Sequence, residues 1–313
     1  MAGQFEVAFS ESVMGVGIVA GGPYLCAKYD VLNMLTGQMV RCMAGEMGGP
    51  ALPTLISDAK FLGKDGAIDS TANIAKHRVY MFSGANDTTV VPSVMEATDK
   101  FYKAFITDQS LIKFVKNPDA RHAFIDNNPK SQGCSQACDN TVKSNQCTYV
   151  NNCNYDSAGA LLSHIYGASA PLVDPATAGV TQVAANLTSF DQSAYINNPE
   201  DHSMAKEGHI YIPTACKDGS APRCKLHIAF HGCKQATARI GNAFISDAGY
   251  NAWAEANRIV ILYPEVVAMM SLAGLNPNGC WDWWGYDSPG EYYRKTGKQM
   301  AAIKRMVDAL SAK

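Results

Sequence analysis

The chain has 313 residues, 47% of them hydrophobic, and carries a formal net charge of −2 at pH 7. This length is enough for one large α/β domain or two small ones, with a sizeable core. The near-neutral charge excludes the basic stripe of a nucleic-acid-binding protein, and no apolar run is long enough to span a bilayer. We therefore expect neither a nucleic-acid partner nor a membrane partner.

Apolar residues at helical or strand spacing predict helices and strands along most of the chain. In the first part the predicted elements are a helix over 2–12, a strand over 16–20, a helix over 53–62, a strand over 78–82, a helix over 92–105 and a strand over 111–115. In the last part they are strands over 209–212 and 226–230, a helix over 240–256, a strand over 259–263 and an amphipathic helix over 290–311. Strands that alternate with helices imply a mainly parallel sheet covered by helices on both faces.

The region 127–203 interrupts this regular pattern. It is polar and cysteine-rich, and its one clear element is a short predicted helix over 158–164. We interpret it as an insertion or cap over the sheet within a single α/β domain, 1–313.

Ten cysteines are present, four of them between Cys134 and Cys153. Their spacing lacks the Cys-x-x-Cys pairs typical of zinc sites, so we predict disulfides, no metal and no cofactor. Disulfides favour an oxidising compartment, and we expect a secreted protein, although no signal peptide is present in this sequence. Pairing does not follow from spacing, but we expect three local bridges: Cys26–Cys42, Cys147–Cys153 and Cys216–Cys224.

Three loops at the carboxyl ends of predicted strands carry candidate chemistry, which is where reactive groups collect in such sheets. Asp87 follows one strand and His122 follows the next. His231-Gly232-Cys233 ends an apolar strand abruptly, so that the amide after Gly232 can point at a developing oxyanion. These loops match the acid, the base and one oxyanion donor of a serine hydrolase. A turn-capping aspartate and a plain glycine turn are the alternative interpretations.

The order of these parts differs from that of an ordinary α/β-hydrolase. The usual order is oxyanion strand, nucleophile, acid, base; here the acid and base come before the His-Gly turn, which implies a circular permutation. The permuted order predicts a serine elbow just before the helix over 2–12, yet no Gly-x-Ser-x-Gly occurs in the sequence. We therefore expect the nucleophile and its strand to lie upstream of Met1.

Six segments resemble the extracellular poly(3-hydroxybutyrate) depolymerases that have a single, circularly permuted α/β-hydrolase domain. They are Met1-Ala-x-Gln-Phe5, Ala20-Gly-Gly-Pro-Tyr-x-Cys26, Gly84-x-x-Asp-x-x-Val90, Arg121-His-Ala-Phe124, Phe230-His-Gly-Cys-x-Gln235 and Asn276-Pro-x-Gly-Cys-Trp-Asp-Trp-Trp-Gly285. The resemblance implies that Asp87 is the triad acid, that His122 is the base and that the Cys233 amide is an oxyanion donor. It also implies a Ser-Ser-Gly elbow shortly before the segment that matches Met1-Ala2.

The tryptophan-rich segment suggests where the substrate binds. Trp281, Trp283 and Trp284 are candidates for an apolar wall that receives a polyester chain, with core packing as the alternative for each. His231 either supports its turn or touches substrate, and we favour support. Cys280 is our candidate disulfide partner for Cys233, because the tryptophan segment is expected near the same cleft.

Together these features predict a monomeric polyester depolymerase or serine esterase that acts on a polyester or another ester. With the nucleophile and a central strand missing, we expect the chain as written to be inactive and marginally folded. Two alternatives remain open: a secreted esterase of other acyl esters, and a non-catalytic protein that binds polymer.

Overall fold

The computed structural model describes residues 1–29, 41–46, 48–136, 138, 147–217, 223–271 and 274–311. The chain divides into two compact units. The first comprises Met1–Ala123, Cys134–Ala137 and Asp282–Met300, and the second comprises Phe124–Gly133, Cys138–Trp281 and Ala301–Lys313. A single domain over 1–313 therefore stays a prediction.

The first unit contains a three-stranded parallel sheet. Its strands are β1 (Gly15–Val19), β2 (Arg78–Gly84) and β3 (Ile112–Asn117), in the order β1-β2-β3. Its helices are α1 (Ala2–Ala8), α2 (Leu52–Asp65) and α3 (Pro92–Lys103). The central strand β2 is buried from Val79 to Gly84, as expected for a strand covered on both faces. These elements agree with the predicted strands and helices to within a few residues.

Local sequence signals account for the helix ends in this unit. Pro92 opens α3, because a proline has the right φ angle for the first turn and lacks only an N–H that would be unpaired there. Gly66 ends α2 in the left-handed conformation, with φ of 80°. Inside α1, Glu6 is 1% exposed and accepts a hydrogen bond from Tyr102 Oη at 2.8 Å while it pairs with His77. A buried polar cluster therefore fixes α1, which apolar spacing does not reveal.

The second unit begins with small elements that the sequence did not predict. A three-stranded parallel sheet is formed by β4 (Phe124–Asp126), β5 (Gln132–Gly133) and β6 (Val150–Asn152). The predicted helix over 158–164 is present as α4 (Ser157–Tyr166). Residues 137 and 139–146 of the predicted insertion lie outside the described part of the chain.

A four-stranded mixed sheet forms the centre of the second unit. Its strands are β7 (Leu187–Asp191), β8 (Glu207–Tyr211), β9 (Lys225–Ile228) and β10 (Ile259–Tyr263), in the order β7-β8-β10-β9. β9 and β10 are parallel, and the other two pairings are antiparallel. β7 lies inside the region 127–203 but pairs with β8, so the end of that region contributes a sheet strand.

Shorter helices and one hairpin complete the unit. The helices are α5 (Pro175–Ala178), α6 (Thr214–Lys217), α7 (Thr237–Ile240) and α8 (Tyr250–Asn257), and the hairpin joins β11 (Met269–Ser271) to β12 (Gly274–Asn276). The last helix is α9 (Lys298–Ser311). None of the helices described here is both long and apolar enough to cross a membrane.

Two helix predictions need correction. The single helix over 240–256 is wrong, because Gly241 and Gly249 adopt positive φ angles of 59° and 87° and separate α7, a π-helical segment and α8. The final helix begins at Lys298 rather than near residue 290. Gly290 has a φ of 74°, and a Cβ on Gly297 would approach the carbonyl oxygen of Glu291 to 2.8 Å, so both positions favour turns.

The disulfides confirm three of the four predicted pairs. They join Cys26 to Cys42, Cys138 to Cys147, Cys216 to Cys224 and Cys233 to Cys280. The pair Cys147–Cys153 is wrong, since Cys147 bonds Cys138; Cys134 and Cys153 are also disulfide-bonded. Both alternatives for Cys147 close short loops, so spacing did not distinguish them.

Candidate active site

The loops that follow β2 and β3 are joined by main-chain hydrogen bonds. Ala85 N–H donates to Asn117 O at 2.8 Å, and Asn86 N–H donates to Ala120 O at 3.0 Å. Gly84 allows this approach, because a Cβ at that position would collide with the Ala120 carbonyl. The two loops that carry Asp87 and His122 are thus held side by side.

Asp87 is 3% exposed, and both oxygens of its carboxylate are engaged. Oδ1 accepts from Thr89 N–H and Val90 N–H, each at 2.8 Å, and Oδ2 lies 2.8 Å from His122 Nδ1. Three hydrogen bonds fix the orientation of the carboxylate. The structure therefore brings two of the predicted site residues together as an acid–imidazole pair.

The side chain of His122 is 31% exposed, unlike that of its partner, which is 1% exposed. An imidazole that donates from Nδ1 to a carboxylate carries its acceptor lone pair on Nε2. This tautomer is the one a general base needs, and its ring retains access to solvent.

In the second unit, the turn after β9 is built around a buried histidine. His231 is 3% exposed; its Nδ1–H donates to Gly232 O at 2.8 Å, and its Nε2 accepts from Val266 N–H at 3.2 Å. Burial lowers the pKa of His231 to about 4, so the ring is neutral at pH 7. Both nitrogens bond the main chain, which favours support of the turn over substrate contact; the substrate role stays a prediction.

Cys233 follows this turn and is exposed, while its sulfur is bonded to the buried Cys280. Gly232 N–H donates to Gln235 Oε1 at 2.7 Å, and Lys234 N–H donates to Asn278 O at 2.6 Å. Within the described residues, no group accepts a hydrogen bond from Cys233 N–H. This amide has the exposure and the spare donor that an oxyanion site requires.

The three tryptophans of the motif lie in different surroundings. Trp281 is 3% exposed in the second unit, donates from Nε1 to His231 O at 3.1 Å and packs edge-on against Phe230. Trp283 and Trp284 belong to the first unit, are half-buried and meet edge-to-face with ring centroids 5.1 Å apart. Trp281 thus has a core and supporting position, whereas the other two offer aromatic surface.

Asp282 is a structural residue that the sequence reasoning missed. It is 3% exposed, and its carboxylate accepts from Gly285 N–H, Tyr286 N–H and Ser288 N–H at 2.6–3.0 Å. Burial raises its pKa to about 6. An aspartate followed by Gly and Ser within six residues is a turn signal that was available in the sequence.

Glu265 is a second missed residue, behind the His231 turn. Its Oε2 accepts from Thr237 N–H at 3.0 Å and lies 3.7 Å from His231 Nε2. Burial raises the pKa of Glu265 to about 7. A carboxyl that is partly neutral beside a neutral imidazole adds little charge to this part of the second unit.

One cavity of the structure is lined by none of the predicted site residues. A cavity of about 720 Å³ in the second unit is lined by residues including Phe190, Glu200 and Lys206. Among the residues that the structure describes, no cluster of three or more His, Cys, Asp or Glu side chains is arranged to hold a metal ion.

Comparison with known proteins gives two close sequence relatives, although no protein-family model matches the chain. A poly(3-hydroxybutyrate) depolymerase of Delftia acidovorans is 39% identical over 313 residues, which cover 100% of this chain and 57% of that protein. A polyhydroxybutyrate depolymerase of Talaromyces funiculosus is 34% identical over 312 residues, 97% of this chain and 84% of that protein. The chain thus spans little more than half the length of the Delftia relative.

Two solved structures share the fold. The crystal structure of PHB depolymerase from Penicillium funiculosum superposes with a TM-score of 0.81 at 34% identity and covers 97% of this chain and 89% of that one. A PHB depolymerase in which a serine is replaced by alanine, complexed with an R3HB trimer, gives a TM-score of 0.80 at 32% identity with the same coverage. The predicted α/β-hydrolase fold is confirmed by these likenesses.

Proposed function

The chain belongs to the poly(3-hydroxybutyrate) depolymerase family, and from this membership we propose that it carries the acid and the base of a serine esterase that hydrolyses a polyester of this type. The observation that carries the proposal is the 2.8 Å hydrogen bond between buried Asp87 and partly exposed His122 at the ends of adjacent parallel strands. A relative in complex with an R3HB trimer supports the substrate class.

His122 is the general base of the proposed reaction. Its Nε2 takes the proton of a serine hydroxyl as the serine oxygen bonds the ester carbonyl carbon and the C=O π pair moves onto the carbonyl oxygen. Asp87 holds the ring in the correct tautomer and stabilises the imidazolium that forms. The developing oxyanion accepts a hydrogen bond from Cys233 N–H.

Collapse of the tetrahedral intermediate completes the first half-reaction. The bond from the carbonyl carbon to the alcohol oxygen breaks, and the imidazolium gives its proton to that oxygen, which leaves an acyl-serine and a hydroxyl-ended chain. Water then attacks the acyl-serine in the same way, and the products are a free carboxylic acid and the regenerated serine. Trp283 and Trp284 are proposed to contact the aliphatic part of the chain, with His231 as a further candidate.

The proposed reaction requires a nucleophilic serine on a strand-to-helix elbow. In hydrolases of this type the elbow joins a strand to the helix that follows, and α1 is followed by β1, whose second edge pairs with no described strand. We propose that the enzyme is a secreted monomer.

The test compares the protein expressed from the complete coding region with two of its variants. We expect the complete protein to clear poly(3-hydroxybutyrate) films and to hydrolyse soluble esters, and both activities to disappear in Asp87→Asn and His122→Ala. Ester turnover that persists in both variants contradicts the assigned acid and base. Hydrolysis of soluble esters without film clearing points to an esterase of other acyl esters, and binding without any turnover points to a polymer-binding protein.

A further inference from the structure

Three main-chain polar groups of the His231-Gly232-Cys233 turn have partners: His231 O, Gly232 N–H and Gly232 O. His231 O accepts from Trp281 Nε1–H at 3.1 Å. Gly232 O accepts from the His231 ring at 2.8 Å and from Gln235 N–H at 3.1 Å. Cys233 N–H finds no acceptor among the described residues, so the turn presents this donor.

The side chain of Gln235 determines which main-chain N–H of the turn has an acceptor. Gln235 is 6% exposed, and its Oε1 accepts Gly232 N–H at 2.7 Å. Its Nε2 donates to Tyr149 O at 2.9 Å and to Thr148 O at 3.3 Å. The amide of Gln235 therefore bridges the turn to the residues that precede β6, and both of its ends are used.

The far end of this bridge is itself fixed. Tyr149 adopts a φ of 54°, an unfavourable conformation for a non-glycine residue, and its carbonyl also accepts from Phe124 N–H at 2.8 Å. A strained residue persists only where its surroundings hold it in place. Gln235 thus ties the turn to a rigid point of the second unit rather than to a loose loop.

We propose that Gln235 is a positioning residue that occupies Gly232 N–H and anchors the turn, so that Cys233 N–H is held in place as the oxyanion donor. The close approach also explains why residue 232 has no side chain, since a Cβ on Gly232 would lie 2.8 Å from Gln235 Oε1. Loss of the bridge leaves Gly232 N–H without its acceptor and lets the turn, with the Cys233 amide, move. A displacement of this kind near a reacting group costs about 10²-fold in rate.

This inference rests on the proposed function, and its test uses the complete, active protein. We expect Gln235→Met to lower kcat on a soluble ester by about 10²-fold while KM changes by less than about twofold, because an oxyanion contact acts mainly in the transition state. Active-site titration gives kcat per competent site, so partial misfolding does not imitate the effect. Gln235→Glu, which keeps an acceptor for Gly232 N–H but loses the donor, is expected to show a smaller loss.

Inhibition by a boronic acid provides a readout that would not change if the role of Gln235 were purely structural. It forms a tetrahedral adduct with the serine, and one adduct oxygen takes the place of the oxyanion. In Gln235→Met its inhibition constant should rise by about the same factor as kcat falls, while binding of a non-hydrolysable substrate analogue is unchanged.

Gln182 offers a matched control. It also accepts through Oε1, from Asn251 Nδ2, and donates through Nε2, to Ser246 O. We expect Gln182→Met to leave kcat and boronic acid binding unchanged. If Gln235→Met keeps full kcat per site, or loses substrate and boronic acid affinity equally, the role of Gln235 is refuted while the proposed function stands. If the complete wild-type protein has no His122-dependent turnover, the proposed function itself fails.

Discussion

His122 and His231 each follow a strand and a turn, yet the two rings are held in opposite ways. His122 donates to the Asp87 carboxylate and keeps 31% of its side chain exposed. The His231 side chain is 1% exposed and bonds only neutral main-chain groups through both nitrogens. A carboxylate stabilises an imidazolium as it forms, whereas a buried site lined by neutral groups disfavours the imidazolium.

The difference separates a residue that is suited to accept a proton from a residue that supports the conformation of its turn. In the second unit the groups near the turn are neutral or close to it: the pKa of His231 is lowered to about 4, and that of Glu265 is raised to about 7, both by burial. In the first unit the paired groups combine a buried acid with an accessible base. The residue type alone does not distinguish the two roles; the hydrogen-bond partners do.

We expect the largest effect from a substitution that removes the imidazole of His122. In the complete protein, His122→Ala should lower kcat by about 10⁴-fold or more. The same change should alter the free energy of unfolding by less than about 1 kcal/mol, because the side chain is partly exposed. His231→Phe should show the reverse ranking, with a clear loss of stability, and steady-state kinetics with chemical denaturation measures both. Equal activity losses without any stability difference would contradict the comparison.

The disulfide beside the turn should give the next largest effect. Cys233 and Cys280 are 47 positions apart, whereas Cys216 and Cys224 are 8 apart. Replacing both cysteines of the long-range pair by alanine should lower the free energy of unfolding by about 2–4 kcal/mol, because the longer closed loop restrains the unfolded chain more. Denaturant titration checks this, with the Cys216–Cys224 double alanine variant as the matched control. A larger loss in the control would argue against the chain-entropy explanation.

The groups near the His231 turn that burial keeps neutral predict that the stability of the protein depends on pH. The pKa of Glu265 is about 7 in the folded protein against an ordinary value of 4.5, so the folded state keeps a proton that the unfolded chain releases. Its contribution to stability is complete below pH 4.5 and is lost as the pH rises through about 7. Glu265→Gln should remove this dependence and raise stability above pH 7 by about 2 kcal/mol. Thermal unfolding at a series of pH values measures it.

His227 provides a control, because the pH dependence of stability that it predicts has the opposite sign. Burial lowers its pKa to about 4 from an ordinary 6.5, so its contribution is present above pH 6.5 and is lost as the pH falls towards 4. His227→Phe should flatten that lower range and leave the range above pH 6.5 unchanged in slope. A Glu265→Gln variant with the wild-type slope between pH 4.5 and 7 would contradict the assignment.

The smallest expected effect concerns substrate contact. Trp283→Ala or Trp284→Ala should raise the apparent KM for suspended polymer about 3- to 10-fold and leave soluble-ester kcat within about twofold. The reason is that an aromatic wall binds ground state and transition state alike. The two effects are measured by comparing the turbidity loss of polymer granules with the hydrolysis of a soluble ester. Equal effects on both substrates would show that these rings support the loop instead.

The sequence predicted the elements that carry strong local signals. The strand Ile259–Tyr263 was located to the residue because five apolar residues follow one another, and Pro92 marked the start of α3. The loops with Asp87 and His122 were found because each follows such a strand. The family likeness then supplied the expected roles for Asp87, His122 and Cys233.

What the sequence did not reveal depends on distant contacts. Strands of two or three residues, such as Gln132–Gly133, are too short to show periodicity. The break in the helix over 240–256 follows from Gly249 at a positive φ, a signal that apolar spacing outweighed. Gln235 and Glu265 owe their parts in the turn to partners far away in the chain, Tyr149 and His231, which no local pattern encodes.

The close approach at Gly84 has a consequence for engineering this enzyme family. The obstacle to any side chain there is the main chain of Ala120, which has no rotamer to change. Any side chain at position 84 must displace the main chain of Ala120, which lies in the loop that carries His122. A directed-evolution library should therefore keep this codon fixed.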